Sequence, residues 1–367
     1  IGYFSAHFYS HPVTTGIADL FKLHDREKFE IHAFAFGLDR KDSWNSRVRE
    51  DVDFFHDTHE MSDQDIVLLA RSMEIDIAVD LTGYTKGNRT GIFASSVAPL
   101  QIGYIGFLGT MGASYYDYIL ADKILIPEEN KKYYSEKVVH LPCYQVNSEQ
   151  PHSPKKSFDR EHFGIPKDAF VFCCFNQNFK ITSDDFDSWA HILSQVKNSM
   201  LILFVDHKSA IKNLKKEMSI RNISIERLVF VNRIEGSEYW SRYKVVDLFL
   251  DTFNYSAGMT ASDALRSGCP LVTCLGMSFS SRFGGSILSA LDLPELITKT
   301  RTEFENLAIR LANQPLELKA LKEKLDINLS TKLLFDTERF AQSIESAYLE
   351  MQAKCHADEE PDDICIS

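Results

Sequence analysis

One stretch limits what this chain can fold into more than any other. VVDLFLDTFNYSAGMTASDALRSGCPLVTCL, Val245 to Leu275, reads as strand, loop, helix and strand without a break. VVDLFLD is an apolar run closed by Asp251, TFNYSAG is a turn-rich loop ending at Gly258, and LVTCL is a β-branched run that begins after Gly268 and Pro270 stop the helix. The unit is βαβ, so its loop lies at the carboxyl end of a parallel strand, the edge where open α/β sheets bind ligands. The first amides of the following helix, at Met259, Thr260 and Ala261, would offer N–H groups and a positive dipole end to an anion such as phosphate. Asp263, one turn in, would cap stray amides or hold a sugar hydroxyl. The plain alternative is an ordinary crossover in which Gly258 and Thr260 only shape a turn.

The rest of the chain repeats the alternation. IGYFS, FEIHAFAF, IDIAVDL and LQIGYIG are strand-like and separated by helical stretches near 15–23, 43–50 and 63–73, the pattern of a doubly wound sheet. The segment 146–168, VNSEQPHSPKKSFDREHFGIPKD, has charges, prolines and no periodicity and reads as a linker. After it, FVFCCFNQNFK restarts the strands, and Thr182 with Asp185 forms a capping-box pattern. With 367 residues against a prior of roughly 150 per domain, two domains are expected. The expected layout is a Rossmann-like domain over 1–145, the linker 146–168, a second Rossmann-like domain over 169–335, a last helix over 336–354 and an acidic tail over 355–367, disordered around ADEEPDD.

Charge and cysteine usage narrow the function classes. A formal charge of −12 argues against a nucleic-acid binder, so any phosphate site must be local. Seven cysteines, with no CxxC pair and several inside apolar runs, read as reduced core thiols. No run reaches the ~20 apolar residues of a membrane span, and no signal-peptide pattern opens the chain, which favours a cytoplasmic protein without membrane partners. Ile1 already lies in a strand-like run, and the gene product is expected to start upstream. No metal site is expected: the DxD triplets at Asp51, Asp63 and Asp185 sit on or beside charged helix ends. There is no GxSxG, HExxH or P-loop.

Loops after the first-half strands carry the other candidates: HFYSHP with His7 and His11, TGYTKGNR with Tyr84, Lys86 and Arg89, and GFLGTMGAS with Gly106, Gly109 and Gly112. All three would face one cleft. His11 beside Pro12 is equally at home as a helix flank, and glycines three apart are not the dinucleotide fingerprint GxGxxG. Lys180 sits just before a helix, at a strand's carboxyl end.

FNQNFKI, LDTFNYSAGMTASDALRSGCPLVT, GYTKGNR, APLQIGYIGFLGTMGASYYDYI and YSEKVVHLP together resemble the protein O-GlcNAc transferase family, which includes the plant SPINDLY proteins, from His11 to Pro294 and in the same order. The resemblance implies two Rossmann-like domains facing a cleft, the GT-B glycosyltransferase architecture. It also implies inverting, metal-independent and cofactor-free transfer of GlcNAc from UDP-GlcNAc to Ser or Thr hydroxyls of a protein or peptide. Gln177 and Lys180 match the donor-contacting FNQxxK motif, Gly258, Met259 and Thr260 the phosphate-binding helix entry, and Asp263 the ribose-binding acid. Arg233 to Tyr239 matches the base-binding stretch, and His11 matches a cleft histidine near the sugar, grouped with Lys180 as catalytic. Met259 departs from the family's consecutive hydroxyls. The alternatives are the same fold using GDP-fucose or UDP-glucose, or a non-catalytic nucleotide-sugar-binding module. The resemblance further implies tetratricopeptide repeats upstream, through which a homo-oligomer could form.

Overall fold

Short apolar runs bounded by turn residues become parallel strands because the intervening amphipathic segments must bury their apolar faces on a sheet. In the computed structural model, which describes residues 1–148, 158–234 and 236–367, the first elements are β1 (Gly2–Ser5), α1 (Pro12–Leu23), β2 (His32–Ala35), α2 (Ser43–Asp51), β3 (Phe54–Asp57), α3 (Asp63–Ser72), β4 (Ile77–Asp80), α4 (Gly91–Ala94), β5 (Leu100–Gly103), β6 (Tyr118–Ala121) and β7 (Lys137–His140). The second run is β8 (Phe170–Cys174), α5 (Ser183–Gln195), β9 (Ser199–Phe204), α6 (Lys208–Ile220), β10 (Leu228–Val231), β11 (Leu248–Leu250), α7 (Met259–Arg266), β12 (Leu271–Cys274), α8 (Phe279–Ala290), β13 (Ile297–Thr298), α9 (Arg301–Asn313) and α10 (Pro315–Leu329). The chain closes with α11 (Thr337–His356) and β14 (Ile364–Cys365).

These elements form two units, 1–149 with 333–367, and 150–332. Among the described residues the first unit has one sheet in the order β14-β7-β6-β5-β4-β1-β2-β3 and the second one in the order β10-β9-β8-β11-β12-β13. Every pairing is parallel, for example Tyr3 opposite Ala33 and Val79, and Phe249 opposite Cys173. In both sheets the chain builds outward from its first strand and then returns to that strand's other side, so β4 lies against β1 and β11 against β8. Each sheet therefore has one switch point, where the loops leaving two adjacent strands part and open a crevice. The capping box at Thr182 and Asp185 forms as its pattern implies and starts α5.

The carboxyl terminus departs from the sequence reading. In place of a separate helix and a disordered tail, α11 packs on the first unit and β14 extends its sheet beside β7. Phe340, Ile344, Tyr348 and Met351 form the helix's buried stripe. Tyr348 Oη lies 3.2 Å from Tyr3 Oη, and Glu345 accepts from the Asp25 amide at 2.8 Å and lies 2.9 Å from His24. In the tail, Asp363 accepts from the Val138 amide at 2.8 Å and pairs with Lys131 at 3.1 Å, while Lys354 pairs with Asp362 at 3.0 Å. Lysines neutralise the acidic run, and Ile364 is buried on a sheet edge that would otherwise be open. Of the expected linker, Val146, Asn147 and Ser148 are buried in the first unit, where the Ser148 amide donates to Gly16 O at 2.8 Å. Residues 149–157 lie outside the described residues, and 158–168 carries a turn of 3-10 helix, Glu161–Phe163.

Candidate active site

At the switch point of the second sheet, the loop after β8 (Phe175 to Lys180) meets the loop after β11 (Asp251 to Gly258). A buried carboxylate holds them together. Asp251, 1% exposed, accepts from the amides of Thr252 at 2.8 Å and Ala257 at 2.7 Å, from Thr273 Oγ1 at 2.7 Å and from Asn176 Nδ2 at 3.3 Å. Burial pushes its acid strength down, to a pKa of about 6, against the pull of these donors and of Lys180. Asn176 also donates to Thr252 Oγ1 at 2.8 Å and accepts from Thr260 Oγ1 at 2.6 Å, so one amide side chain fixes the end of β8 to the first turn of α7. Asp185 adds a third tie, accepting from the Phe253 amide at 2.8 Å.

Lys180 lies inside this frame. Its Nζ donates to Ser256 O at 3.1 Å and sits 3.7 Å from the centroid of the Tyr255 ring. Burial lowers its pKa to about 8, partly offset by Asp251 and Cys174. Gln177 is exposed in the same loop. Helix α7 begins at Gly258, with no side chain capping it, and the Thr260 hydroxyl is committed to Asn176. What the helix start presents is backbone and the positive end of its dipole. A Cβ on Gly258 would come within 2.6 Å of Phe283, so this close approach requires glycine.

Beside that helix start, Tyr239 Oη donates to Asp263 Oδ2 at 2.6 Å. Asp263 is buried, with its pKa raised to about 6 by desolvation and held back by Tyr239, Arg242 and Arg266. Arg242, 3% exposed, lies 3.9 Å from the Tyr239 ring and 4.3 Å from that of Phe175, and its Nε has no hydrogen-bond partner among the described residues. Arg233 is exposed, two residues ahead of residue 235, which lies outside the described residues. The structure thus brings Lys180, Thr260, Asp263 and Tyr239 around one strand edge. Asn176, Arg242, Asp251 and Tyr255 belong with them, although sequence reasoning did not single them out for the site. The contacts that join them across the β8 and β11 loops span dozens of residues, and neither spacing nor composition signals those.

The switch point of the first sheet holds the other candidates. His11 is the N-cap of α1, its Nδ1 accepting from the Val13 amide at 3.3 Å, and its ring stacks on His7 with centroids 4.0 Å apart. Burial, then His7 and Arg40, lowers its pKa to about 4, so His11 is neutral near pH 7, with the hydrogen on Nε2 when Nδ1 accepts. Asp80, at the end of β4, accepts from the amides of Thr82 and Gly83 at 2.8 and 2.9 Å and from Tyr116 Oη at 2.6 Å. Tyr84 donates to Met111 O at 3.0 Å, and Arg89 is turned away to Asp63 and Met61 O. Gly106 serves packing, because a Cβ there would lie 2.0 Å from Leu81 O. Several DxD carboxylates are likewise committed: Asp53 to Arg26, Asp63 to Arg89, Asp65 and Asp185 to helix caps and Asp187 to Arg221. Among the described residues, no three His, Cys, Asp or Glu side chains are grouped to hold a metal ion.

Residues 1–152 and 144–344 match the model of Glycosyl transferase family 41. The chain belongs to that family. Among family 41 relatives, the probable UDP-N-acetylglucosamine–peptide N-acetylglucosaminyltransferase SEC of Arabidopsis thaliana is 33% identical over 358 residues, covering 96% of this chain and 37% of the relative. The SPINDLY protein of Hordeum vulgare, with the same activity in its name, is 28% identical over 366 residues, covering 96% and 38%. The chain spans less than two-fifths of the length of these curated relatives. Among solved structures, a mutant O-GlcNAc transferase of Thermobaculum terrenum superposes with a TM-score of 0.91 at 27% identity, over 97% of this chain and 68% of that one. Sucrose-phosphate synthase of Thermosynechococcus elongatus, at 12% identity and a TM-score of 0.61 over 96% and 98%, shares the fold alone. Both units of this family 41 chain are parallel-sheet α/β layers of the GT-B kind. No helix among the described residues is long and apolar enough to cross a membrane.

Proposed function

We propose that this chain is the catalytic part of an inverting, metal-independent glycosyltransferase that moves GlcNAc from UDP-GlcNAc to Ser or Thr hydroxyls of proteins. The observation that carries the reading is the pairing of Lys180 with the glycine-led start of α7 at one switch point, in a chain that belongs to family 41. The names of the Arabidopsis thaliana and Caenorhabditis elegans relatives, UDP-N-acetylglucosamine–peptide N-acetylglucosaminyltransferases, supply the donor and the acceptor class.

In this reading the acceptor oxygen attacks the anomeric carbon as the bond to the diphosphate breaks, and a single displacement inverts the configuration. The bonding pair leaves on the phosphate oxygen, and the hydroxyl proton passes to solvent water or to the departing diphosphate. Negative charge therefore grows on the diphosphate, where Lys180 and the amides of Gly258, Met259 and Thr260 stabilise it most at the transition state. Asp263 takes a ribose hydroxyl, Arg233 and Tyr239 border the base, Gln177 contacts the donor, and His11 is the catalytic candidate that the first unit carries. A fixed ammonium and a dipole end supply the positive potential that a metal gives elsewhere.

The test incubates the protein, in EDTA, with labelled UDP-GlcNAc, UDP-glucose or GDP-fucose and an acceptor lysate, then maps label by mass spectrometry. Label from UDP-GlcNAc on Ser or Thr is expected, with Lys180→Ala lowering turnover roughly 10- to 100-fold. Label on asparagine, label from another donor only, or a strict requirement for manganese would overturn the assignment.

A further inference from the structure

Tyr255 is 39% exposed and Phe179, its edge-on neighbour with centroids 6.5 Å apart, is 72% exposed, beside the buried hydrogen-bond frame of Asp251 and Asn176. Exposed rings at such a place call for a reason. The rings come from different strands: Phe179 and Lys180 follow β8, and Tyr255 follows β11, so they meet only because the sheet order sets β8 against β11. Thr252 Oγ1 donates to Tyr255 O at 2.7 Å and anchors the backbone of that loop, while the ring face turns to the ammonium of Lys180.

We propose that Tyr255 is a positioning residue for Lys180: its ring face and the Ser256 carbonyl together hold the ammonium, charged and aimed, at the edge where a leaving diphosphate would gather negative charge. The physical case is direct. A lysine side chain has four rotatable carbons, and one hydrogen bond fixes only the distance of its head from one atom. A ring face within 4 Å adds a second, non-competing attraction that favours only the protonated form. The other groups acting on Lys180 are Asp251 at the end of β11 and Cys174 at the end of β8. Asp251 is already engaged by four donors, and the Cys174 thiol is held neutral by burial. The π face of Tyr255 is therefore the contact that a substitution can remove without breaking the frame. It needs no tyrosine hydroxyl, so phenylalanine would serve.

The proposal rests on the transferase reading only for its consequence, and its first test needs no donor. Titration of Lys180 in the intact chain, by reductive 13C-methylation and NMR, should place its midpoint near 8, and Tyr255→Leu should lower it by roughly half a unit to one and a half units. Tyr255→Phe should leave it in place, and shape-preserving fluorinated phenylalanines should lower it step by step as the ring face loses electron density, even if the leucine variant folds poorly. With a turned-over donor, Tyr255→Leu should lose roughly 3- to 30-fold more in kcat at pH 9 than at pH 6, where the remaining loss reports the aim of the ammonium alone, with KM for the acceptor unchanged. A Lys180 midpoint that stays put in both the leucine variant and the fluorinated series overturns the proposal. Failure of every donor to turn over defeats the transferase reading instead and leaves the titration result standing.

Discussion

Lys180 and Asp263 titrate on opposite sides of neutrality, and for both the cause is burial, which disfavours whichever form is charged. If Asp263 accepts a ribose hydroxyl and Lys180 meets a diphosphate, both must be ionised for the donor to bind well. Asp263 is ionised above about 6 and Lys180 below about 8, so donor affinity should be greatest between those values and fall on either side. Isothermal titration with UDP-GlcNAc is the suitable probe, because its diphosphate has no ionisation in this range, whereas that of UDP does. Asp263→Asn should flatten the acid limb and Lys180→Met the alkaline one; a limb that survives its own substitution would show that another group is responsible. FNQNFK and the helix-entry loop marked most of these residues in the sequence, but the partners that set their proton affinities were invisible there. Tyr255, Asn176 and Arg242 act through space across neighbouring loops.

Helix α8 shows how an element's placement depends on one missing side chain. It packs along β12, and a Cβ on Gly284 would stand 2.4 Å from Asp251 Oδ2 and 2.8 Å from Thr273 Oγ1. Gly284→Ala must therefore move the helix or the buried carboxylate that ties the β8 and β11 loops. Such overpacking typically costs about 1–3 kcal/mol, read as a lower urea midpoint with an unchanged slope. Donor binding should weaken in the same variant at saturating stability, and an alanine variant as stable as the parent would show that the contact relaxes freely. The sequence pattern gives no reason for a glycine at 284, because its neighbours Asp251 and Thr273 belong to other strands and their loops.

The carboxyl-terminal helix and strand complete a unit built mostly from the other end of the chain. Deleting Leu333–Ser367 would strip α11 from α1 and β14 from β7, exposing the apolar stripe that Ile344, Tyr348 and Met351 bury and reopening a sheet edge. Limited proteolysis of the truncated protein should then degrade the region 1–148 while a resistant core persists within 158–332. Equal resistance of both parts would refute this account of the first unit. Strand and helix types and the capping box at Thr182 and Asp185 follow from the sequence, because periodicity, turn residues and caps are local and act over a few neighbours. Tertiary structure alone decided which strands lie side by side, and so which loops share a crevice. It also decided that an acidic tail becomes an edge strand and that Lys180 rests on an aromatic face. Those outcomes are set by burial and by contacts between residues far apart in the chain, for which a local pattern carries no signal.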